Sequence, residues 1–250
     1  MLKTAGVSLR YKRPRLGQHF LKSQAIARRI VLALPIKATD TVVEIGPGRG
    51  ILTRELLKKN ARIIAVEIEN RLADNLRESL PSRRLTVQNC DFLKFDLTQY
   101  SKVKIIGNIP YWISQPLIEK LVDNQDNWHL AILTFQREFA LRLLSKPKRK
   151  TYGSLSVFFQ YHLKGERLFD IPARFFTPEP KVISTVIRMK PRQRKVDRGF
   201  ERFTKMLFSK RRKMLRSILK GREIPDYYRT KRPAEISIIG LLKLYKYCQR

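Results

Sequence analysis

Four apolar runs in the first half of the chain each end in a residue able to hold a polar ligand, and this pattern constrains the fold most. Thr41-Val42-Val43-Glu44-Ile45-Gly46 reads as a buried strand. It opens into Gly46-Pro47-Gly48-Arg49-Gly50, and Ile51 to Lys59 then takes helical spacing. Ala61 to Glu67 is a second strand ending in an acid, 21 residues after Gly46. Leu85 to Asp91 is a third, again finishing in an acid, and Lys102 to Asn108 a fourth. Helical segments follow the first strand and the second, the latter in the 70s with Leu72 and Leu76 on one face, so the expected fold is a doubly wound, Rossmann-like α/β sheet. In such sheets the carboxyl ends of the strands form the ligand crevice, which gathers Gly46, Gly48, Glu67, Asp91 and Asn108. Glycines let a ligand approach the backbone, and an acid at the second strand end suits ribose hydroxyls. The turn alone leaves a nicotinamide dinucleotide as an equal contender.

The fourth strand runs into Asn108-Ile109-Pro110-Tyr111. This set has a chemical rationale if the target is the exocyclic amine of adenine, whose lone pair is delocalised into the ring. The Asn108 side-chain oxygen can accept one amine N–H, and the Ile109 carbonyl the other. Pro110 fixes its own φ and keeps Ile109 extended, which aims that carbonyl outward. Two acceptors on one nitrogen favour a pyramidal amine with its lone pair free to attack. Tyr111 offers a face for an unstacked base. Asn in place of Asp leaves no obvious general base, so the amine is expected to lose its proton after attack. A plain Asn-x-Pro turn is the bland alternative for these four residues taken alone.

Charge points the same way. The chain has 250 residues, with 53 Lys and Arg against 21 acids, a net charge of +32. That excess indicates a polyanionic partner, most simply nucleic acid. The 43% hydrophobic content is that of a globular chain. Cys90 and Cys248 form no disulfide framework and no metal motif, so no metal is expected. No run reaches membrane-spanning length and no signal-peptide core is present, so a cytoplasmic protein without membrane contact is expected.

Along the chain, residues 1–16 form a basic leader with Arg10, Lys12, Arg13 and Arg15. Ser23 is placed to cap a helix running to Leu34. Beyond Tyr111, a helix is expected over Gln115 to Asn124, a strand over His129 to Gln136 and a helix over Arg137 to Leu144. Ser154 to Leu163 and Val182 to Met189 are rich in β-branched and aromatic residues, which predicts an antiparallel hairpin closing the sheet. Phe176, in the proline-stiffened turn between them, is a candidate second aromatic wall or a core residue. Lys148, Arg149 and Lys150 form a basic loop. From about residue 192 the composition shifts to charged helix with Arg211, Arg212, Lys213 and Arg216. The expected division is residues 1–191 for the α/β unit and 192–250 for a small helical, phosphate-contacting unit.

Five segments occur in a familiar order. They are Gly17-Gln18-His19-Phe20-Leu21, Glu44-Ile45-Gly46-Pro47-Gly48, Asn108-Ile109-Pro110-Tyr111, Phe176 to Val182, and Arg211 to Arg216. Together they resemble the ribosomal RNA adenine N6-dimethyltransferase family, over roughly residues 14 to 245. The resemblance implies a class I methyltransferase sheet and transfer of methyl groups from S-adenosyl-L-methionine. Its implied target is N6 of two adjacent adenosines in the 3′-terminal hairpin of small-subunit ribosomal RNA, free or in an assembling subunit, with a monomeric enzyme. It further implies that His19, Leu21 and Gly46 line the cofactor site, that Glu67 binds ribose and that Asp91 takes the cofactor adenine amine. Asn108 would then meet cofactor and target, with Tyr111 stacking on the target base. Arg49 and Trp112 depart from the family pattern. The macrolide-resistance relatives, which methylate a large-subunit adenosine, share Asn-Ile-Pro-Tyr, but the Arg211 to Arg216 cluster is closer to the small-subunit enzymes. A non-enzymatic RNA-binding assembly factor on the same fold is the reading from another class.

Overall fold

The structure is a computed structural model and describes residues 18–249; the basic leader and Gly17 lie outside the described residues. In chain order it contains β1 (Phe20–Leu21), α1 (Gln24–Leu32), β2 (Thr41–Ile45), α2 (Ile51–Leu57), β3 (Arg62–Glu67) and α3 (Asn70–Ser79). Next come β4 (Leu85–Asn89), β5 (Val103–Asn108), α4 (Ser114–Asp123), β6 (Trp128–Gln136), α5 (Arg137–Leu143) and α6 (Ser154–His162). The chain continues with β7 (Leu163–Ile171), β8 (Phe176–Thr177), β9 (Ser184–Pro191) and α7 (Arg198–Ser209). It closes with α8 (Leu215–Ile218), α9 (Asp226–Arg229) and α10 (Ile238–Tyr247).

Seven strands form one sheet in the order β4-β3-β2-β5-β6-β9-β7. The first five run parallel, and β9 lies antiparallel between β6 and β7. Strand order reverses between β2 and β5, and that switch point opens a crevice at the carboxyl ends. The central strands are buried on both faces, which explains their unbroken apolar runs. Successive side chains alternate between two cores: Val43 and Ile45 join Ile105, Leu117 and Trp128 on one face, while Val42 joins Ile30, Leu56 and Ile106 on the other. Lys104 is a buried charge within β5. Its ammonium donates to Asp40 at 2.5 Å and to the Pro35 carbonyl, so the charge is paired where the strand begins.

Ser23 caps α1 as expected, its hydroxyl accepting from the Ile26 N–H at 3.4 Å. One expectation fails. Residues 154–162 form the helix α6, and Leu163–Ile171 takes the hairpin role by pairing with β9 from Leu163↔Pro191 to Ile171↔Ser184. The reason is tertiary. Ser156, Val157, Phe159 and His162 are buried, with Phe159 packed in the sheet core and Val157 in the cluster of the C-terminal helices. The Ser156 hydroxyl also accepts the Gly153 N–H and donates to the Arg142 carbonyl, which closes the first turn. β-Branched and aromatic content is thus overridden by a two-sided helical fit.

The helices α7 to α10 share a third apolar cluster that includes Phe200, Phe203, Leu207, Leu241 and Leu244, and Tyr152 and Val157 reach into it from the α/β unit. Phe159 is fully buried and packs over Gly165 of β7. Replacing it with Ala should lower unfolding free energy by about 3–5 kcal/mol in urea titration. A change under about 1 kcal/mol would mean that α6 does not anchor the sheet edge.

Candidate active site

One cleft of about 800 Å³, counted to its open mouth, lies over the strand ends at the switch point. Its lining brings together Gly46 and Gly48 after β2, Glu67 ending β3, Asp91 after β4, and Asn108 to Tyr111 after β5. His19 borders it from the N-terminal segment, and Phe176, 2% exposed and packed in the second core, touches it from β8. The sequence placed these groups at four strand ends, and the parallel register brings the ends side by side.

Gly46 and Gly48 adopt φ of +61° and +56°, where a β-carbon is strained. Beyond Gly46 a β-carbon would meet no atom within 4 Å, so its ligand side is open. At Gly48 it would strike the Phe20 ring at 2.9 Å. That ring also carries the Arg49 guanidinium, 4.9 Å from its centroid, so Arg49 leans away from the turn onto the N-terminal segment. Glu67 is buried, and its carboxylate accepts the Gly48 and Glu69 N–H groups, each at 3.0 Å. Burial raises its pKa despite these bonds. Asp91 accepts the Leu93 N–H at 2.9 Å through one oxygen, leaving the other for a ligand.

Asn108 is held by its surroundings. Its side-chain amide is 3.0 Å from the His19 carbonyl, and a carbonyl can only accept, so the NH₂ faces it and Oδ1 points the opposite way. The Ile109 N–H is taken by the Thr134 carbonyl at 3.1 Å, while no described residue donates to the Ile109 carbonyl. Pro110 sits at φ −56°, ψ 133°, its ring fixing the φ. Tyr111 is half-buried with its ring centroid 5.6 Å from that of His19, and its hydroxyl lies 3.4 Å from Ser184 Oγ. Burial raises that hydroxyl's pKa. His19 Nδ1 donates to the Pro178 carbonyl at 2.6 Å, which ties the N-terminal segment to the proline turn.

Leu21 does not line the cleft: it packs in the core at 6% exposure, while its neighbour Phe20 takes the lining position. The two-residue strand β1 pairs with β8, Leu21 opposite Phe176, and alternation sends one side chain to each side. That period-2 rule was the available signal for Phe20. The apolar lining residues Ile68, Phe92 and Ile113 carried no such signal. Trp112 also borders the cleft, with its indole N–H buried and unpartnered among the described residues. Outside the cleft lining, Lys148, Arg149, Lys150, Arg212, Lys213 and Arg216 are exposed. Arg211 donates to the Lys150 carbonyl at 2.9 Å, so the two basic segments are neighbours. Among the described residues no group of three or more His, Cys, Asp or Glu is placed to hold a metal ion, and no helix is long and apolar enough to cross a membrane.

A Rossmann-like sheet with an antiparallel closing strand, a glycine turn facing an acid, and Asn-Ile-Pro-Tyr at the switch point define a class I methyltransferase. The sequence profile of the ribosomal RNA adenine dimethylase family matches residues 10–232. Ribosomal RNA small subunit methyltransferase A of Francisella tularensis is 40% identical over 223 residues, covering 84% of this chain and 85% of its own. The Bordetella pertussis protein of the same name is 40% identical over 219 residues, covering 85% and 83%. Among solved structures, a dimethyladenosine transferase from Plasmodium falciparum superposes with a TM-score of 0.81 at 26% identity, covering 90% of this chain and 96% of that one. The 23S rRNA methyltransferase ErmE gives 0.75 at 24% identity, covering 92% and 100%, which shows a shared fold. The chain belongs to the ribosomal RNA adenine dimethylase family and is a methyltransferase enzyme.

Glu44, directly behind the glycine turn, is fully buried. Burial pushes its pKa up to about 8, the Thr53 hydroxyl at 2.7 Å opposes this, and Glu67 adds to it. The unfolded carboxyl titrates near 4.5. Folded Glu44 therefore keeps a proton that the unfolded chain releases, and its contribution to stability is full below about pH 4.5 and is lost as pH rises toward about 8. Thermal unfolding of Glu44→Gln should match the wild type near pH 4.5 and exceed it increasingly up to about pH 8. Parallel curves would show that Glu44 is ionised in the folded protein.

Proposed function

We propose that this enzyme dimethylates N6 of two adjacent adenosines in the 3′-terminal hairpin of small-subunit ribosomal RNA, using S-adenosyl-L-methionine, as a cytoplasmic monomer active during subunit maturation. The observation that carries the reading is the orientation of Asn108. The His19 carbonyl claims its NH₂, so Oδ1 and the uncommitted Ile109 carbonyl present two acceptors beside an aromatic face. That set suits an adenine amine, which has two N–H groups to give.

The residues present fit the cofactor. The open space beyond Gly46 admits a ligand against the backbone, Glu67 offers a carboxylate for ribose hydroxyls, and Asp91 keeps a free oxygen for an adenine amine. Bound there, S-adenosyl-L-methionine supplies a sulfonium-activated methyl group. Asn108 and Ile109 draw the target N–H groups into their plane and leave the nitrogen lone pair free. Tyr111 stacks on the extruded base, and Phe176 with the proline turn walls the same side. Alignment and exclusion of water do the remaining work, because the leaving group is already a good one. The amine nitrogen gains the methyl carbon and then releases one proton. The exposed cations of the 148–150 loop and of residues 211–216 hold RNA phosphates without reading sequence. We assign that contact chiefly to residues 192–250.

Incubation with undermethylated small and large subunits, followed by nuclease digestion and mass spectrometry, tests the reading. A pair of N6-dimethyladenosines in small-subunit RNA is expected, and large-subunit label would move the enzyme to the resistance branch. Asn108→Ala should reduce kcat by at least about a hundredfold with RNA affinity unchanged. Retained turnover would remove Asn108 from the chemistry. Changing Arg211, Arg212 and Lys213 together to Ala should flatten the log–log dependence of RNA affinity on salt by about 2. An unchanged slope would place the phosphate contacts elsewhere.

A further inference from the structure

The C-terminal helices carry an exposed feature that phosphate binding does not explain. Tyr227 on α9 is 68% exposed and Ile239 at the start of α10 is 69% exposed. The two helices meet here, because the hydroxyl of Tyr228, next to Tyr227, donates to the carbonyl of Gly240, next to Ile239, at 3.2 Å and so fixes α9 against α10. The Tyr227 ring stands edge-to-face with Tyr228 at 5.1 Å, and the Lys231 ammonium lies 5.6 Å from its centroid. An aromatic ring left in water, braced by a second ring and accompanied by a cation, is the arrangement that stacks an unpaired base.

Backbone contacts make this corner continuous with the basic surface. The Lys231 carbonyl accepts from the Leu215 N–H at 2.8 Å, directly beside the 211–216 cluster. The Ala234 carbonyl accepts from the Lys148 N–H at 2.7 Å, joining the basic loop to the same ridge. Arg229, 4.0 Å from Asp226, and Arg232 are both exposed on the same short stretch of chain. Charge complementarity therefore selects RNA as the occupant, and the exposed ring selects a nucleotide whose base is unstacked.

We propose that Tyr227 is a stacking platform for an unpaired ribosomal RNA base, lying beyond the phosphate contacts and separate from the catalytic cleft. The proposal rests on the reading of this surface as RNA-binding. A base on Tyr227 would let the helical unit distinguish flexible or looped RNA from regular duplex, which cations alone cannot do.

The test measures affinity of the full chain for a single-stranded RNA oligonucleotide and for the blunt duplex of the same strand, across a salt series. Tyr227→Ala should bind the single strand about tenfold more weakly while duplex affinity and the salt slope stay unchanged, since no cation is lost. Tyr227→Trp should bind the single strand at least as well as the wild type. Equal weakening on both RNAs, a changed salt slope, or no weakening would overturn the platform. Melting temperature should match the wild type, and a variant with a lowered melting temperature is replaced by Tyr227→Ser for the same comparison. Failure of the wild type to bind either RNA would instead remove the RNA-binding reading on which the platform stands.

Discussion

The hydrogen bond from the Asn108 amide to the His19 carbonyl organises the centre of this enzyme. An amide side chain can present either end to a ligand, and a carbonyl partner removes that freedom. The same histidine donates through its ring to the Pro178 carbonyl, and β1 pairs with β8 beside it. Three distant pieces of chain, the N-terminal segment, the end of β5 and the proline turn, are thereby fixed at one point. Each alone is an ordinary loop or strand end. Together they make an acceptor pair beneath an aromatic face.

The sheet supplies the rest of the preorganisation. Parallel strands place Gly46, Glu67, Asp91 and Asn108 at one edge, and the reversal of strand order opens space above them. Glu67 links this edge to the glycine turn by accepting the Gly48 N–H, while protonated Glu44 lies behind the turn without adding a second negative charge. The buried charge at the far end of the sheet, Lys104, is met by Asp40. Glu44 is thus kept neutral and Lys104 paired inside a protein whose net charge is +32.

A polar network joins the helical unit to the sheet unit. Arg198 of α7 bridges Asp123 of α4 at 2.5 Å and Glu201 at 2.9 Å, and Glu201 lies 3.6 Å from the buried His162 of α6. Burial raises the Glu201 carboxyl, but His162 and Arg198 outweigh it and hold it below its ordinary range. Tyr152 and Val157 insert into the apolar cluster around Phe200 alongside this network. The basic surface is therefore carried on a seat that is both packed and ion-paired.

The sequence alone determined the alternating strands and helices, the glycine turn, and the acids and Asn-Ile-Pro-Tyr at strand ends. These are local: periodicity, turn chemistry and the position of a residue in its strand need no partner. Tertiary structure decided what depends on neighbours. The 154–162 segment is strand-like in composition and becomes a helix because two of its faces are buried, Phe159 in the sheet core and Val157 in the C-terminal cluster. Phe20, and not Leu21, enters the cleft because β1 pairs with β8 in a particular register. The outward aim of Asn108 Oδ1 follows from a backbone carbonyl 89 residues away, and no local pattern can encode the identity of so distant a partner.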